Sequence, residues 1–203
     1  MGNSMSGRLQ VKELLSPDGA TAMTIGDTGT VSLASGSGTE IDMWQITANK
    51  VPSGSHILTD NWIRCGTGVN VDYNSFTKVG TGMSVSSGWW TFPSTGTWRI
   101  QGTFTFHAPA GSGDEAKACD AQIRYSIDGG STTVGGAIGY AGCNLNEAHY
   151  TDSATLETYF NVTDKDNFKV HFVVQNGGSA DNYLYGSGAW PYTRVIFTKI
   201  PTF

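Results

Sequence analysis

Residues 87–98 have the sequence SGWWTFPSTGTW and hold three of the chain's six tryptophans. Pro93 fixes the backbone φ angle at the entry to a turn, and Gly96 can adopt a positive φ at its exit. Trp90 and Trp98 lie on either side of this turn, so they are predicted to be neighbouring inward residues of a β-hairpin. We therefore interpret these tryptophans as core residues; the alternative is an exposed platform on which a ligand stacks.

The segments around this turn alternate apolar and polar residues, as β-strands do. The predicted strands and hairpins cover 98–106, 119–127 with a turn at 128–131, 156–174 with a turn at 163–167, and 194–200. The residues predicted to be buried are Trp90, Trp98, Ile100, Phe104, Phe106, Phe168, Val170 and Phe172. Because no segment of ten or more residues has helical periodicity, the sequence predicts an all-β, antiparallel sandwich or jelly roll.

The chain is predicted to divide near residue 40. Residues 1–40 contain short apolar alternations separated by turns, each long enough for one short strand, and they end in the flexible linker 35–38. We expect this segment to be ordered by docking on a partner or by winding with copies of itself; the alternative is a disordered leader. Residues 41–203 are predicted to form one head domain.

Composition excludes several classes of partner. The formal net charge of −5 gives no basic face for nucleic acid. No run of apolar residues approaches the ~18 needed to span a membrane, and the N-terminus does not resemble a secretory signal. We therefore expect no nucleic acid partner and no membrane insertion.

The sequence offers no case for catalysis, a cofactor or a metal centre. The histidines are scattered, and none has a second ligand at metal spacing; they are His56, His107, His149 and His171. Asp114 and Glu115, with Asp120, could hold calcium on a loop, but solvated acidic residues are the more ordinary interpretation. A carbohydrate-processing enzyme on a jelly roll would need a pair of inward carboxylates, and the predicted core strands contain almost none.

The three cysteines, Cys65, Cys119 and Cys143, do not form a disulfide framework. If residue 128 faces residue 131 across the hairpin turn, Cys119 faces Tyr140 and Cys143 faces Ala116. A cross-strand disulfide would then require a bulge. We expect thiols rather than disulfides.

Residues 90–98 resemble the signature of C1q/TNF-like jelly rolls, in which two aromatic residues flank a Thr, a Pro and a Gly at fixed spacing. Residues 80–85 lead into it, the segment 156–174 resembles the family's E–F strand pair, and 192–200 resemble its closing strand. The family usually has Gly-Asp in the E–F turn, where this chain has Lys165-Asp166. The resemblance covers residues 41–203 and implies a C1q/TNF-like antiparallel jelly roll that trimerises about a threefold axis.

A narrower resemblance involves residues 41–47, 61–64 and the Gly-x-Gly-Met run at 80–83. Together with 90–98 they look like the C1q-like heads of structural proteins from marine tailed phages. The leader 7–31 is similar to the virion-proximal starts of such proteins. This resemblance implies a virion location and a trimeric fibre, spike or decoration head, with residues 1–40 contacting other virion proteins.

Trimerisation requires apolar surface outside the core of each subunit. Val173 lies next to Val174, Trp89 next to Trp90, and Ile196 between Val195 and Phe197. Because neighbours in a strand point to opposite faces, we expect the extra residues Val173, Trp89 and Ile196 to meet a neighbouring subunit.

Two loops, 177–185 and 188–192, combine aromatic side chains with amide and carboxylate groups. Tyr and Trp give a large contact area at small entropic cost, so Tyr183, Tyr185 and Trp190 are the candidate contacts for a host surface glycan or protein. The alternative is that Trp190 and Tyr192 only pin the last strand. At the level of function, the alternatives to an attachment head are a capsid decoration protein that stabilises the shell and a secreted C1q/TNF-like ligand.

Overall fold

The computed structural model describes residues 13–15, 21–25, 31–33, 39–52, 54–67, 78–109, 117–145, 150–176 and 182–201. The chain separates into two compact units, Met1–Gly38 and Thr39–Phe203. In the first unit, β1 (Glu13–Leu15), β2 (Thr21–Ile25) and β3 (Val31–Leu33) form an antiparallel sheet in the order β1-β2-β3. Such a small sheet buries little by itself. The role of residues 1–40 in attachment stays a prediction.

The second unit, called the head below, is built from two antiparallel sheets. Its strands are β4 (Ile41–Ile46), β5 (Ser55–Ile57), β6 (Trp62–Arg64), β7 (Lys78–Val79), β8 (Ser84–Ser86), β9 (Trp89–Thr91), β10 (Gly96–His107), β11 (Lys117–Ser126), β12 (Val134–Leu145), β13 (Thr151–Val162), β14 (Lys169–Asn176), β15 (Tyr183–Leu184) and β16 (Arg194–Lys199). Sheet I has the order β13-β10-β16-β4-β6, with β15 on β10 and β7 on β4. Sheet II has the order β12-β11-β14-β9-β8, with β5 on β14. The described residues include no helix, so the predicted all-β jelly roll is confirmed.

The core lies between the sheets and is rich in aromatic rings. Of the eight residues predicted to be buried, seven are 0 % exposed and Phe168 is half-buried. Trp90 lies at its centre, with ring centroids 4.9 Å from Trp44 and 5.3 Å from Trp62, both edge-on. Edge-to-face pairs add about 1 kcal/mol each to the free energy gained by burial. The prediction that the tryptophans form core is therefore confirmed for Trp90 and Trp98.

The prediction that residues 90 and 98 flank a hairpin is wrong. Trp90 belongs to β9 in sheet II and Trp98 to β10 in sheet I, so the turn carries the chain from one sheet to the other. The indole Nε1 of Trp98 donates a hydrogen bond to the carbonyl of Ser94 at 3.1 Å, and this bond closes the turn. Both rings can face one core because they approach it from opposite sheets.

The second predicted hairpin, 156–174, is wrong for the same reason. Its first half lies in β13, which pairs with β10, and its second half lies in β14, which pairs with β11 and β9. Asp164 closes the connection by accepting hydrogen bonds from the amides of Asp166 and Asn167, and its carbonyl accepts one from Phe168. The alternation predicted both strands correctly and their pairing incorrectly.

The third predicted hairpin, β11–β12, is confirmed, but its register changes along the strands. Tyr125 pairs with Val134 as the turn predicts, and Ile123 then pairs with Gly139. The residues between Val134 and Gly139 outnumber the single residue between Ile123 and Tyr125, so β12 bulges. As a result, Cys119 pairs with Cys143, and the predicted pairing of Cys119 with Tyr140 is wrong. No disulfide joins the three cysteines in this structure, and the expectation of thiols stays a prediction.

A buried ion pair explains the Gly-x-Gly-Met run. The Asp42 carboxylate is 1 % exposed and accepts hydrogen bonds from Arg64 Nε at 2.8 Å and from the Met83 amide at 2.7 Å. Gly82 has a φ of +79°, and a Cβ at this position would lie 2.8 Å from Asp42 Oδ2. A side chain at residue 82 would therefore displace the carboxylate that joins β4 to β6 and to the start of β8.

Candidate binding surface

Two of the predicted contact residues flank a buried anchor. Leu184 in β15 is 0 % exposed, and its backbone pairs with Phe106 in β10 and with Lys50. Because neighbouring side chains alternate across a strand, Tyr183 and Tyr185 both point away from the core. The anchor therefore presents the two rings on the same outer surface.

The structure brings these rings together with two others. Ring centroids are separated by 5.1 Å for His107 and Tyr183, 5.8 Å for Tyr183 and Tyr185, and 4.4 Å for Tyr185 and Tyr192. We call His107, Tyr183, Tyr185 and Tyr192 the aromatic cluster. The third predicted contact, Trp190, is 50 % exposed and adjoins the cluster along the chain, since the Tyr192 amide donates a hydrogen bond to its carbonyl at 2.9 Å.

Thr105 fixes the cluster from β10. Its hydroxyl donates to the Tyr192 carbonyl at 2.7 Å, its amide donates to Thr193 Oγ1 at 3.2 Å, and its carbonyl accepts from the Tyr185 amide at 2.7 Å. Thr105 is predicted to lie on the outward face of its strand, where polar residues are ordinary, yet it is buried. Thr105 therefore holds the backbone at Tyr185 and the backbone at Tyr192 to the same strand.

The loop between Tyr185 and Tyr192 is also held from β4. The side-chain amide of Gln45 donates a hydrogen bond to the Ser187 carbonyl at 3.2 Å, and the backbone amide of Ser187 donates one to the Ile46 carbonyl at 2.9 Å. The Gly186 amide donates to Asn49 Oδ1 at 3.0 Å. A surface fixed on both sides loses little conformational entropy when it binds.

The edges of the aromatic cluster carry polar groups. Burial, followed by the neighbouring Tyr185, raises the pKa of Tyr183, so its phenol keeps its proton. His107 Nδ1 is 2.7 Å from Thr151 Oγ1. Aromatic rings with hydroxyl and imidazole edges suit sugar rings or a protein surface.

Sequence reasoning did not include His107 and Tyr192 among the contacts. In the sequence His107 is one of the scattered histidines, and Tyr192 is a residue that could serve only to pin the last strand. The backbone carbonyl of Tyr192 accepts a hydrogen bond from the Thr105 hydroxyl, and the residue is 41 % exposed beside Tyr185. The pairing of β15 with β10, which brings His107 to Tyr183, is a long-range contact that no local pattern indicates.

The residues predicted to meet a neighbouring subunit have different surroundings. Val173 is 1 % exposed, so the chain itself covers it, and the Trp89 ring stacks on His171 with centroids 4.2 Å apart. The interpretation as spare apolar surface is therefore wrong for Val173, whereas Trp89 is half-buried and its contact with a neighbouring subunit stays a prediction. Ile196 is half-buried on the outer face of sheet I, where it pairs with Met43 of β4.

The possible calcium site stays a prediction, because two of its three acidic residues lie outside the described part of the chain. Asp114 and Glu115 lie outside the described residues, and the Asp120 carboxylate accepts a hydrogen bond from the Gln122 amide at 3.0 Å. Among the residues that the structure describes, no group of three His, Cys, Asp or Glu side chains is placed to hold a metal ion.

In the same residues, no helix is long and apolar enough to cross a membrane.

Comparison with known proteins identifies the fold. No family model matches the chain, and no curated protein sequence does. The crystal structure of murine APRIL at pH 5.0 matches with a TM-score of 0.53 and 10 % identity, covering 80 % of this chain and 100 % of that one. The structure of murine APRIL at pH 8.0 matches with a TM-score of 0.50, 11 % identity and the same coverage. The head therefore has the C1q/TNF-like jelly-roll fold.

Proposed function

We propose that this protein is a non-enzymatic structural protein of a phage virion, whose trimeric head attaches the particle to its host. In this proposal residues 1–40 contact other virion proteins, and the head carries the receptor contacts. The observation that carries the proposal is the aromatic cluster: four neighbouring rings at the end of β10, on β15 and on the loop after β15, which hydrogen bonds hold from two sides. The resemblance of residues 41–47, 61–64 and 80–98 to phage heads supports the virion location.

An attachment role is favoured over a decoration role because of where the aromatic side chains lie. Trp190 is 50 % exposed and Tyr192 is 41 % exposed. Side chains that served only to pin β16 would be expected to pack against the sheet instead. Exposed Tyr and Trp on a rigid loop are typical of binding surfaces. The aromatic cluster, with its hydroxyl and imidazole edges, favours a glycan or a protein surface as the receptor.

The trimer is supported by the outer face of sheet I. Ile196 pairs with Met43, and Ile63 pairs with Gln45 on the adjacent strands. Ile196, Met43 and Ile63 lie on the face opposite the core, in β16, β4 and the edge strand β6. A neighbouring subunit that packs there would cover them, as the resemblance to C1q/TNF-like proteins implies.

The trimer is tested by sedimentation of the purified protein at micromolar concentration. Wild type should sediment as a trimer, and Ile196→Glu should shift it toward monomer because a carboxylate would be buried at the interface. Tyr140→Glu is the matched control, since Tyr140 is 64 % exposed on sheet II. A monomeric wild-type protein contradicts the trimer.

Attachment is tested by competition between the purified protein and intact virions for host cells. Wild-type protein should reduce virion adsorption, and Tyr183→Ala, Tyr185→Ala and Trp190→Ala should each weaken competition about tenfold or more. Tyr159→Ala is the matched control, because this tyrosine is 60 % exposed on β13 and pairs with Arg99, near the opposite end of β10 from His107. Equal thermal stability of the variants excludes misfolding as the cause.

Two observations separate the alternatives: the competition experiment and the protein content of purified particles. If the wild-type protein does not compete with virions, the attachment role is wrong and the decoration role replaces it. If the protein is not found in purified particles at all, the secreted C1q/TNF-like ligand becomes the better hypothesis, and the fold described above fits that class equally.

A further inference from the structure

The bulge in β12 places two cysteines directly opposite each other. Cys119 of β11 and Cys143 of β12 are register partners, and both are buried, at 1 % and 9 % exposure. Directly opposed residues of antiparallel strands have Cα atoms about 4.5–5.5 Å apart, which is within the range that disulfides span. The two thiols interact through a hydrogen bond. This hydrogen bond, followed by burial, raises the pKa of Cys143.

We propose that Cys119 and Cys143 form a disulfide site that a small-molecule disulfide oxidises. The thiolate of one cysteine attacks a sulfur of the reagent and forms a mixed disulfide, releasing one small thiol. The other cysteine then attacks the protein sulfur of that bond, the Cys119–Cys143 bond forms, and a second small thiol leaves. The reagent gains two electrons and the two cysteine protons, and the protein loses them.

The bond would secure the edge of sheet II. Strand β12 is the last strand of that sheet and pairs only with β11 in its order. The cross-link closes the chain between residues 119 and 143, which removes conformational freedom from the unfolded state. A loop of this length in a domain of this size raises the Tm by about 10 °C.

In the folded head the two thiols are close enough to bond to each other, but they are too buried to react with an oxidant from solution. A disulfide exchanges only through an exposed thiolate, and here burial and the mutual hydrogen bond disfavour the thiolate of Cys143. The oxidation therefore belongs to folding, before β11 and β12 are covered. Cys65 differs, because it lies after β6, its thiol contacts Gln45 Oε1 at 3.4 Å, and burial raises its pKa to about 11.

The test uses the full chain with Cys65→Ser, so that only the proposed pair can react. Reduced, unfolded protein is refolded either with dithiothreitol or with a mixture of oxidised and reduced glutathione. Remaining thiols are then alkylated in denaturant and located by peptide mass spectrometry. With glutathione, we expect a 119–143 cross-link, no alkylation at either cysteine, and a Tm about 10 °C above that of the reduced protein at equal protein concentration.

Folded, reduced protein given the same mixture should form the cross-link at least tenfold more slowly than refolding protein. The variant Cys143→Ser should show neither the cross-link nor the increase in Tm, and because Ser is close to Cys in size it also reports whether the site tolerates substitution. Alkylation of both cysteines after oxidative refolding, glutathione adducts in place of the cross-link, or a cross-linked protein that melts no higher than the reduced one would each overturn the proposal.

Discussion

Lowering the pH from 7 to 5 is expected to destabilise the head through one histidine, His171. Its side chain is 1 % exposed, and its ring stacks on Trp89 with centroids 4.2 Å apart. Nε2 is 3.5 Å from the Thr133 hydroxyl, and Nδ1 has no hydrogen-bond partner. Burial, assisted by the positive charge of Arg124 opposite it on β11, therefore lowers the pKa of His171 from 6.5 to about 4.

The sign of the effect follows from where protons bind. Between pH 6.5 and 4 the unfolded chain binds a proton at His171 and the folded head does not, so acid favours unfolding. The loss of stability is about 2 kcal/mol at pH 5 and about 3 kcal/mol at pH 4. At pH 7 it is negligible, because the imidazole is neutral in both states. A loss of about 2 kcal/mol lowers the Tm by about 4–8 °C in a domain of this size.

Urea unfolding at pH 7 and pH 5, followed by tryptophan fluorescence at one protein concentration, measures this effect. His171→Gln removes the titrating group, so the fall in unfolding free energy between the two pH values should shrink by about 2 kcal/mol. His56→Gln is the control, because His56 is half-exposed on β5 and remains in contact with water. If wild type and His171→Gln lose the same free energy, the reasoning about burial is refuted.

Two further predictions concern the ion pair beneath the Gly-x-Gly-Met run, and both are measured by urea unfolding at pH 7. Asp42→Ala should cost about 3 kcal/mol, because it leaves Arg64 without its buried partner, whereas Glu157→Ala on the surface of sheet I should leave stability unchanged; equal losses would contradict the role given to burial. Gly82→Ala should cost about 2–3 kcal/mol from its φ of +79° and its contact with Asp42, whereas Gly54→Ala, with a φ of +64° and open space around it, should cost about 1 kcal/mol. Similar costs for the two glycines would show that the contact contributes nothing.

The sequence predicted which residues face the core more reliably than which strands pair. Alternation places Trp90, Trp98 and Phe172 inward whatever sheet they join, because it depends only on the pleat of each strand. Pairing depends on whether a turn keeps the chain in one sheet or carries it to the other, and the turns at 92–96 and 163–167 have compositions that suit both. The likeness to a two-sheet fold was correct, although the local interpretation of these two turns as hairpins was wrong.

The site was predictable only in part, for similar reasons. Tyr183 and Tyr185 stood out because aromatic residues in a polar loop are unusual, and the structure places them on one surface. His107 joins them through the pairing of β15 with β10, which is a contact between distant parts of the chain. The position of Cys143 opposite Cys119 depends on a bulge that the turn sequence does not indicate, since the register near the turn is the expected one.

The order of sheet I has a consequence for biosynthesis. Strand β16, residues 194–199, lies between β10 and β4, so the strand made late in translation completes the middle of the sheet. A nascent chain that has not yet emerged through Lys199 leaves the facing edges of β4 and β10 unpaired, and such edges are prone to associate with other chains. Closing contacts between distant segments is also slow. Sheet I therefore cannot be completed before residues 194–199 have emerged from the ribosome, and a polypeptide truncated before β16 leaves it open.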